Sequence, residues 1–216
     1  CDSLTSVVIP DSVTSIGARV FSGCSALGSL TVESGNSVYH SADNCIIETA
    51  SKTLVAGCKS SVIPTDGSVT SIGDDAFYSC RNLTSVVIPD SVTSIGDDAF
   101  CYCYGLTSVV IGDSVKSIGN YAFVGCCKLV EVYDLSPHIT VTKGSSNNGD
   151  LGNYALAVYT SLDTPSKQWT TEDGYIFYED GNTCYLVGYT GEQTDLVLPQ
   201  NCHGKSYEIY QGAFYD

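Results

Sequence analysis

The chain has 216 residues, of which 43% are hydrophobic and 15% charged, enough for a packed core and too apolar for wholesale disorder. Its formal net charge is −15 and its nine Lys and Arg are scattered, which makes nucleic acid and anionic membrane poor partners, because phosphate recognition needs clustered cations. No apolar run is long enough to span a bilayer, and eleven cysteines, an odd number, argue against a fully paired disulfide framework.

In chain order, "LTSVVIP" at 4–10 is short and β-branched and is stopped by Pro10, so it predicts a strand. Leu27 starts a second copy 23 residues after Leu4. The stretch 33–57 breaks this step. Within it "NCIIETASKTLVAG" (44–57) places two apolar runs around a polar centre, which predicts a β-hairpin. The strand pattern resumes with "SVIP" at 61–64. From there to 133 the 23-residue step is strict: Phe77, Phe100 and Phe123, Ile72, Ile95 and Ile118, and Leu83, Leu106 and Leu129 all keep it. "SVTSIG" predicts a second short extended piece in each unit, and "DDAF" predicts one helical or 3₁₀ turn. Residues 134–190 break the period again. There "GYIFYEDGNTCYLVGY" (174–189) predicts a hairpin turning at Asp180-Gly181. "DLVLP" and "YEIYQGAF" replay the unit at 194–214.

One such unit cannot bury its own apolar residues. Stacked copies convert each apolar position into a continuous column, and the columns become the core. The expected architecture is an α/β repeat solenoid, one domain over 1–216, with insertions at roughly 33–57 and 134–190. Seven strand positions, starting at Leu4, Leu27, Cys58, Leu83, Leu106, Leu129 and Gln193, predict a parallel sheet roughly 30 Å long. Both ends cut inside a repeat and the chain holds no Met, so it reads as a fragment of a longer protein.

The units L-x-x-V-x-I-P and S-V-x-S-I-G-x-x-A-F-x-x-C, as at 83–103, resemble the BspA-like leucine-rich repeats of bacterial and protist surface and secreted proteins. The resemblance is close over 1–32 and 58–133. It implies a right-handed solenoid with a parallel sheet on one side, a location outside the cell or on its surface, and adhesion to host or microbial macromolecules.

Chemistry is sparse. Cys1, Cys24, Cys80, Cys103 and Cys126 form one inward column and read as small buried thiols. Stacked columns spread ligands along a line, whereas a metal needs them converging, so neither a metal nor another cofactor is expected. A disulfide among Cys45, Cys58, Cys184 and Cys202 is open. Cys202-His203 would suggest a nucleophile and base, but sequence neighbours on an extended chain point apart, and no orienting carboxylate is visible. The pairs Asp74-Asp75 and Asp97-Asp98 read as solvated helical N-terminal turns. "SSNNGD" (145–150) lacks the acids of a calcium loop. No constellation for catalysis emerges, and a non-enzyme is expected.

Binding is expected on the outward sheet face. One row there runs through Ser6, Ser85, Ser108 and Glu131, and another through Val8, Val87, Val110 and Tyr133. This Ser/Val carpet suits either a crowded parallel sheet or an uncharged docking surface for a protein. Trp169 and the tyrosines of the second insertion offer a glycan-stacking alternative. A third possibility is a spacer carrying a further domain. The chain itself is expected to be monomeric.

Overall fold

The computed structural model describes residues 1–163 and 167–215. They form two compact units, residues 1–160 and 161–216.

The first unit is a β-solenoid. Its strands are β1 (Ser6–Ile9), β2 (Ser29–Val32), β3 (Tyr39–Ala42), β4 (Cys45–Glu48), β5 (Thr53–Ala56), β6 (Ser71–Ile72), β7 (Ser85–Ile88), β8 (Ser94–Ile95), β9 (Ser108–Ile111), β10 (Ser117–Ile118), β11 (Glu131–Asp134) and β12 (Ala157–Tyr159). Among the described residues the one helix is the single turn α1 (Leu151–Tyr154). The α component expected from "DDAF" is therefore absent from the repeats, where those residues form hydrogen-bonded turns.

The sequence step of 23 becomes a pairing rule. β7 and β9 pair parallel with Ser85 opposite Ser108 and Ile88 opposite Ile111. On the other side of the coil, Ser71, Ser94 and Ser117 align along β6, β8 and β10. Val and Ile suit these short strands because branched side chains pack well on a pleated surface. Leu83, Leu106, Leu129, Val86, Val109, Val132, Ile88 and Ile111 are buried between the two sheets. Phe77, Phe100 and Phe123 stack face to face, with centroids 4.9 and 5.1 Å apart and planes inclined by 12° and 10°.

The back turns are laddered. Phe77 N–H donates to Ala99 O at 2.7 Å, and Phe100 N–H to Ala122 O at 2.7 Å. Asp74 Oδ1 accepts from Asp97 N–H at 2.8 Å, and Asp97 Oδ1 from Asn120 N–H at 2.7 Å. The aspartate pairs are thus not helical N-termini. The first Asp caps the next turn, and the second (Asp75, Asp98) adopts positive φ. The thiols of Cys103 and Cys126 donate to the carbonyls of Phe77 and Phe100 at 3.2 and 3.3 Å, which explains a small polarisable donor in that column.

The front sheet departs from the expected seven strands. It exists as two pieces, β1–β2 and β7–β9–β11–β12. No strand forms at 60–64, because the turn after β3 captures that segment. Val62 N–H donates to Asp43 O at 3.0 Å, and Asn44 Nδ2 donates to Ser60 O at 3.3 Å. β3, β4 and β5 extend the back sheet, with β5 lying parallel to β6. At the other end β12, from the second insertion, adds to β11.

The second unit is one four-stranded sheet of β13 (Lys167–Glu172), β14 (Tyr175–Asp180), β15 (Thr183–Tyr189) and β16 (Tyr207–Ile209). The β14–β15 hairpin turns at Gly181-Asn182, one residue later than expected, since Asp180 pairs with Thr183. Gly181 takes φ 61°, as the first central position of a two-residue hairpin loop favours. Residues 195–199 form no strand. Tyr hydroxyls occupy carbonyls there: Tyr175 bonds Val197 O at 2.9 Å and Tyr207 bonds Pro199 O at 2.7 Å. Phe214, expected in the Phe column, is 50% exposed.

Candidate functional sites

The structure brings together only part of the expected sheet face. Ser85 and Ser108, and Val87 and Val110, lie side by side on β7 and β9. Ser6 and Val8 lie on the separate β1–β2 piece. Val8, Val62 and Val87 are about three-fifths exposed and Val110 is partly covered. Glu131 and Tyr133 continue the same rows but are buried, at 6% and 5% exposure, so they are not surface groups. Two causes lie within the unit: the Tyr133 hydroxyl bonds Glu131 Oε2 at 3.0 Å, and its ring packs 5.3 Å from Tyr159 on β12. Sequence alternation could not show this, because the covering residue comes from an insertion outside the register.

The break in the sheet creates a groove of about 420 Å³. Residues 59–63 and Thr65 form one wall and residues 83–87 the other. Thr84 O accepts from Thr107 N–H, so the even-numbered residues of β7 point their backbone groups towards β9. Ser85 and Val87 therefore present theirs to the groove, where no backbone bond from 59–64 meets them among the described residues.

Trp169 stands on β13 in the second unit. It is 42% exposed and packs edge-on against Tyr178 at 5.0 Å, with Tyr178 buried beneath.

Sequence reasoning missed a polar cluster in the second unit. Cys184 on β15 and Cys202 form a disulfide. Cys202 and Lys205 close a two-residue turn through mutual backbone bonds of 2.9 and 2.8 Å. Both central residues, His203 and Gly204, have positive φ, at 50° and 79°. That left-handed conformation swings His203 back over Cys202, so these neighbours do not point apart as an extended chain would require. Glu179 on β14, nearly buried, meets them: its Oε1 lies 2.7 Å from His203 Nδ1, and its Oε2 accepts from Lys205 Nζ at 2.7 Å. Lys205, then His203, holds the Glu179 carboxyl below the usual carboxylate range. Cys202 Sγ lies 3.9 Å from that same Nδ1 and 3.8 Å from Oε1. A catalytic relay uses the two ring nitrogens separately. Here one nitrogen faces both neighbours, and the sulfur is tied to Cys184, so the cluster is not a nucleophile–base pair.

The remaining nine cysteines are free. Burial raises the Cys45 and Cys80 thiols to about 12, and pushes Cys103 and Cys126 well up. They stay protonated and unreactive at neutral pH.

The model of the BspA type leucine rich repeat region matches residues 1–130 in six copies. No curated protein matches. Among solved structures, the chain is similar to a leucine rich cell surface protein of Faecalibacterium prausnitzii A2-165 (27% identity, TM-score 0.47, 74% of this chain and 49% of that one). It is also similar to a leucine-rich repeat protein of Eubacterium ventriosum ATCC 27560 (24% identity, TM-score 0.48, 74% and 49%). The pneumococcal vaccine antigen PcpA aligns at 17% identity and TM-score 0.51 over 74% of this chain and 44% of that one, a likeness of fold. The chain spans a little under half the length of each of these three structures.

Proposed function

Because the chain belongs to the BspA-type leucine-rich repeat family, we propose that it is a non-enzymatic binding scaffold of a bacterial cell surface or secreted protein, with a macromolecule as its ligand. The observation that carries this reading is the front face of the solenoid. Its Val62 and Val87 side chains stand about three-fifths exposed on either side of a groove that also offers unpaired strand backbone. Exposed apolar side chains beside an open edge suit a protein ligand, because the edge supplies hydrogen bonds and the valines supply buried area. The chain's charge of −15 disfavours acidic partners.

Immobilised extracellular-matrix proteins provide the test, with binding read by interferometry. Val62→Asp and Val87→Asp should each weaken binding at least tenfold while leaving the far-ultraviolet circular dichroism unchanged. Binding that is indifferent to both substitutions would reject this face. A glycan ligand is the second reading, supported by Trp169, whose exposed indole rests against Tyr178 and leaves ring surface for a sugar to stack on. A glycan-array signal lost on Trp169→Ala would favour it over the first.

A further inference from the structure

We infer that Cys184, Cys202, His203 and Glu179 form a zinc site when the Cys184–Cys202 bond is reduced, so that disulfide and metal are alternative staples of the second unit. Sγ of Cys202, Nδ1 of His203 and Oε1 of Glu179 already converge within 4.8 Å of one another. Cys184 Sγ, now bonded to Cys202, is the fourth donor. Two thiolates, an imidazole and a carboxylate are a donor set that zinc accepts in tetrahedral geometry. Donors around such an ion stand about 3.3–3.8 Å apart. The sulfur-to-nitrogen and sulfur-to-oxygen separations of 3.9 and 3.8 Å nearly match this already. The contact of His203 with Glu179 must open by about half an ångström, to the spacing of two ligands on one ion. The Cα separation of 6.7 Å lets the two sulfurs part without moving the strands.

The surroundings fit the same reading. Lys205 holds Oε2 at 2.7 Å, which fixes the carboxylate and leaves Oε1 for the ion. Glu179 and both cysteines are buried, whereas the His203 and Lys205 side chains are 43% and 45% exposed and leave one open side for entry. The second unit is small, residues 161–216, and a domain of that size gains much from a cross-link.

The exchange balances. A dithiol reductant passes two electrons and two protons to the Cys184–Cys202 bond, yielding two thiols and becoming a disulfide itself. Zinc, unchanged in oxidation state, then displaces both thiol protons to solvent and takes the two sulfurs.

Cobalt(II) serves as the spectroscopic probe on the full chain. The phosphine-reduced protein should bind one cobalt with thiolate charge-transfer and tetrahedral d–d bands, displaced by zinc. The oxidised protein and a Cys184→Ser/Cys202→Ser double variant should lack them. His203→Ala, which leaves the disulfide able to form, should weaken the reduced site at least tenfold. In parallel, zinc should shield Cys184 and Cys202 from iodoacetamide, as mapped by peptide mass spectrometry. The inference is overturned if the reduced chain gives no such bands. It is equally overturned if the double variant keeps them, or if zinc leaves the alkylation of these two cysteines unchanged.

Discussion

Replacing Phe100 by alanine tests the column architecture at its most constrained point. Phe100 is fully buried and stacked on both faces, by Phe77 and by Phe123. Truncating a buried Phe costs about 3–5 kcal/mol through lost transfer energy and the cavity left behind. Stacked neighbours held in adjacent turns cannot close in, because the Phe77 and Phe100 amides are pinned to Ala99 and Ala122 by 2.7 Å bonds. The cost should therefore lie near the top of that range, a large share of a stability of about 5–15 kcal/mol. Phe214 is the matched control. It has the same place in the repeat text but is half exposed, so Phe214→Ala should cost less than about 1 kcal/mol. Urea unfolding followed by circular dichroism measures both, read at constant m-value. Equal costs, or a Phe100→Ala cost below about 1 kcal/mol, would refute the assignment of an inward Phe column.

Gly57→Ala should destabilise by about 1–3 kcal/mol, since a Cβ there would enter the Phe77 ring, while Gly17→Ala, with open space around it, should stay within about 0.5 kcal/mol. The buried thiols predict alkaline lability. Cys45, Cys80, Cys103 and Cys126 are raised by burial in the folded state, so the unfolded chain loses these protons first. Stability should hold below the unfolded thiol value of about 8.5 and then fall by about 1.4 kcal/mol per pH unit for each thiol. Urea midpoints that stay flat up to pH 10.5 would contradict this. Iodoacetamide should label the exposed Cys1 quickly, and Cys103 and Cys126 only at the rate of unfolding.

Much of the first unit was legible because it is local physics repeated. A 23-residue step in Leu, Ile and Phe admits few foldings other than stacked coils, and the pairing of Ser85 with Ser108 or Ser71 with Ser94 follows from it. The site was far less legible. Outward pointing is a property of a strand, but exposure depends on what else arrives. Tyr133 points as the alternation requires and is buried beside Tyr159. The segment 60–64 carries strand text yet forms none, because Asp43 and Asn44 bond its backbone first.

By itself, then, the sequence determined the family, the period, the identity of the core columns and the surplus of acidic charge, all of which are encoded within one repeat or in the composition. Tertiary structure alone decided what forms where the repeat breaks: the split of the front sheet, the groove beside β7, and the meeting of Cys202, His203 and Glu179. The last depends on a left-handed backbone at His203 and on a hairpin that brings β14 alongside the turn. Contacts between distant segments leave no periodic trace, since each side chain involved occurs once and its partner is set by the path of the chain rather than by spacing.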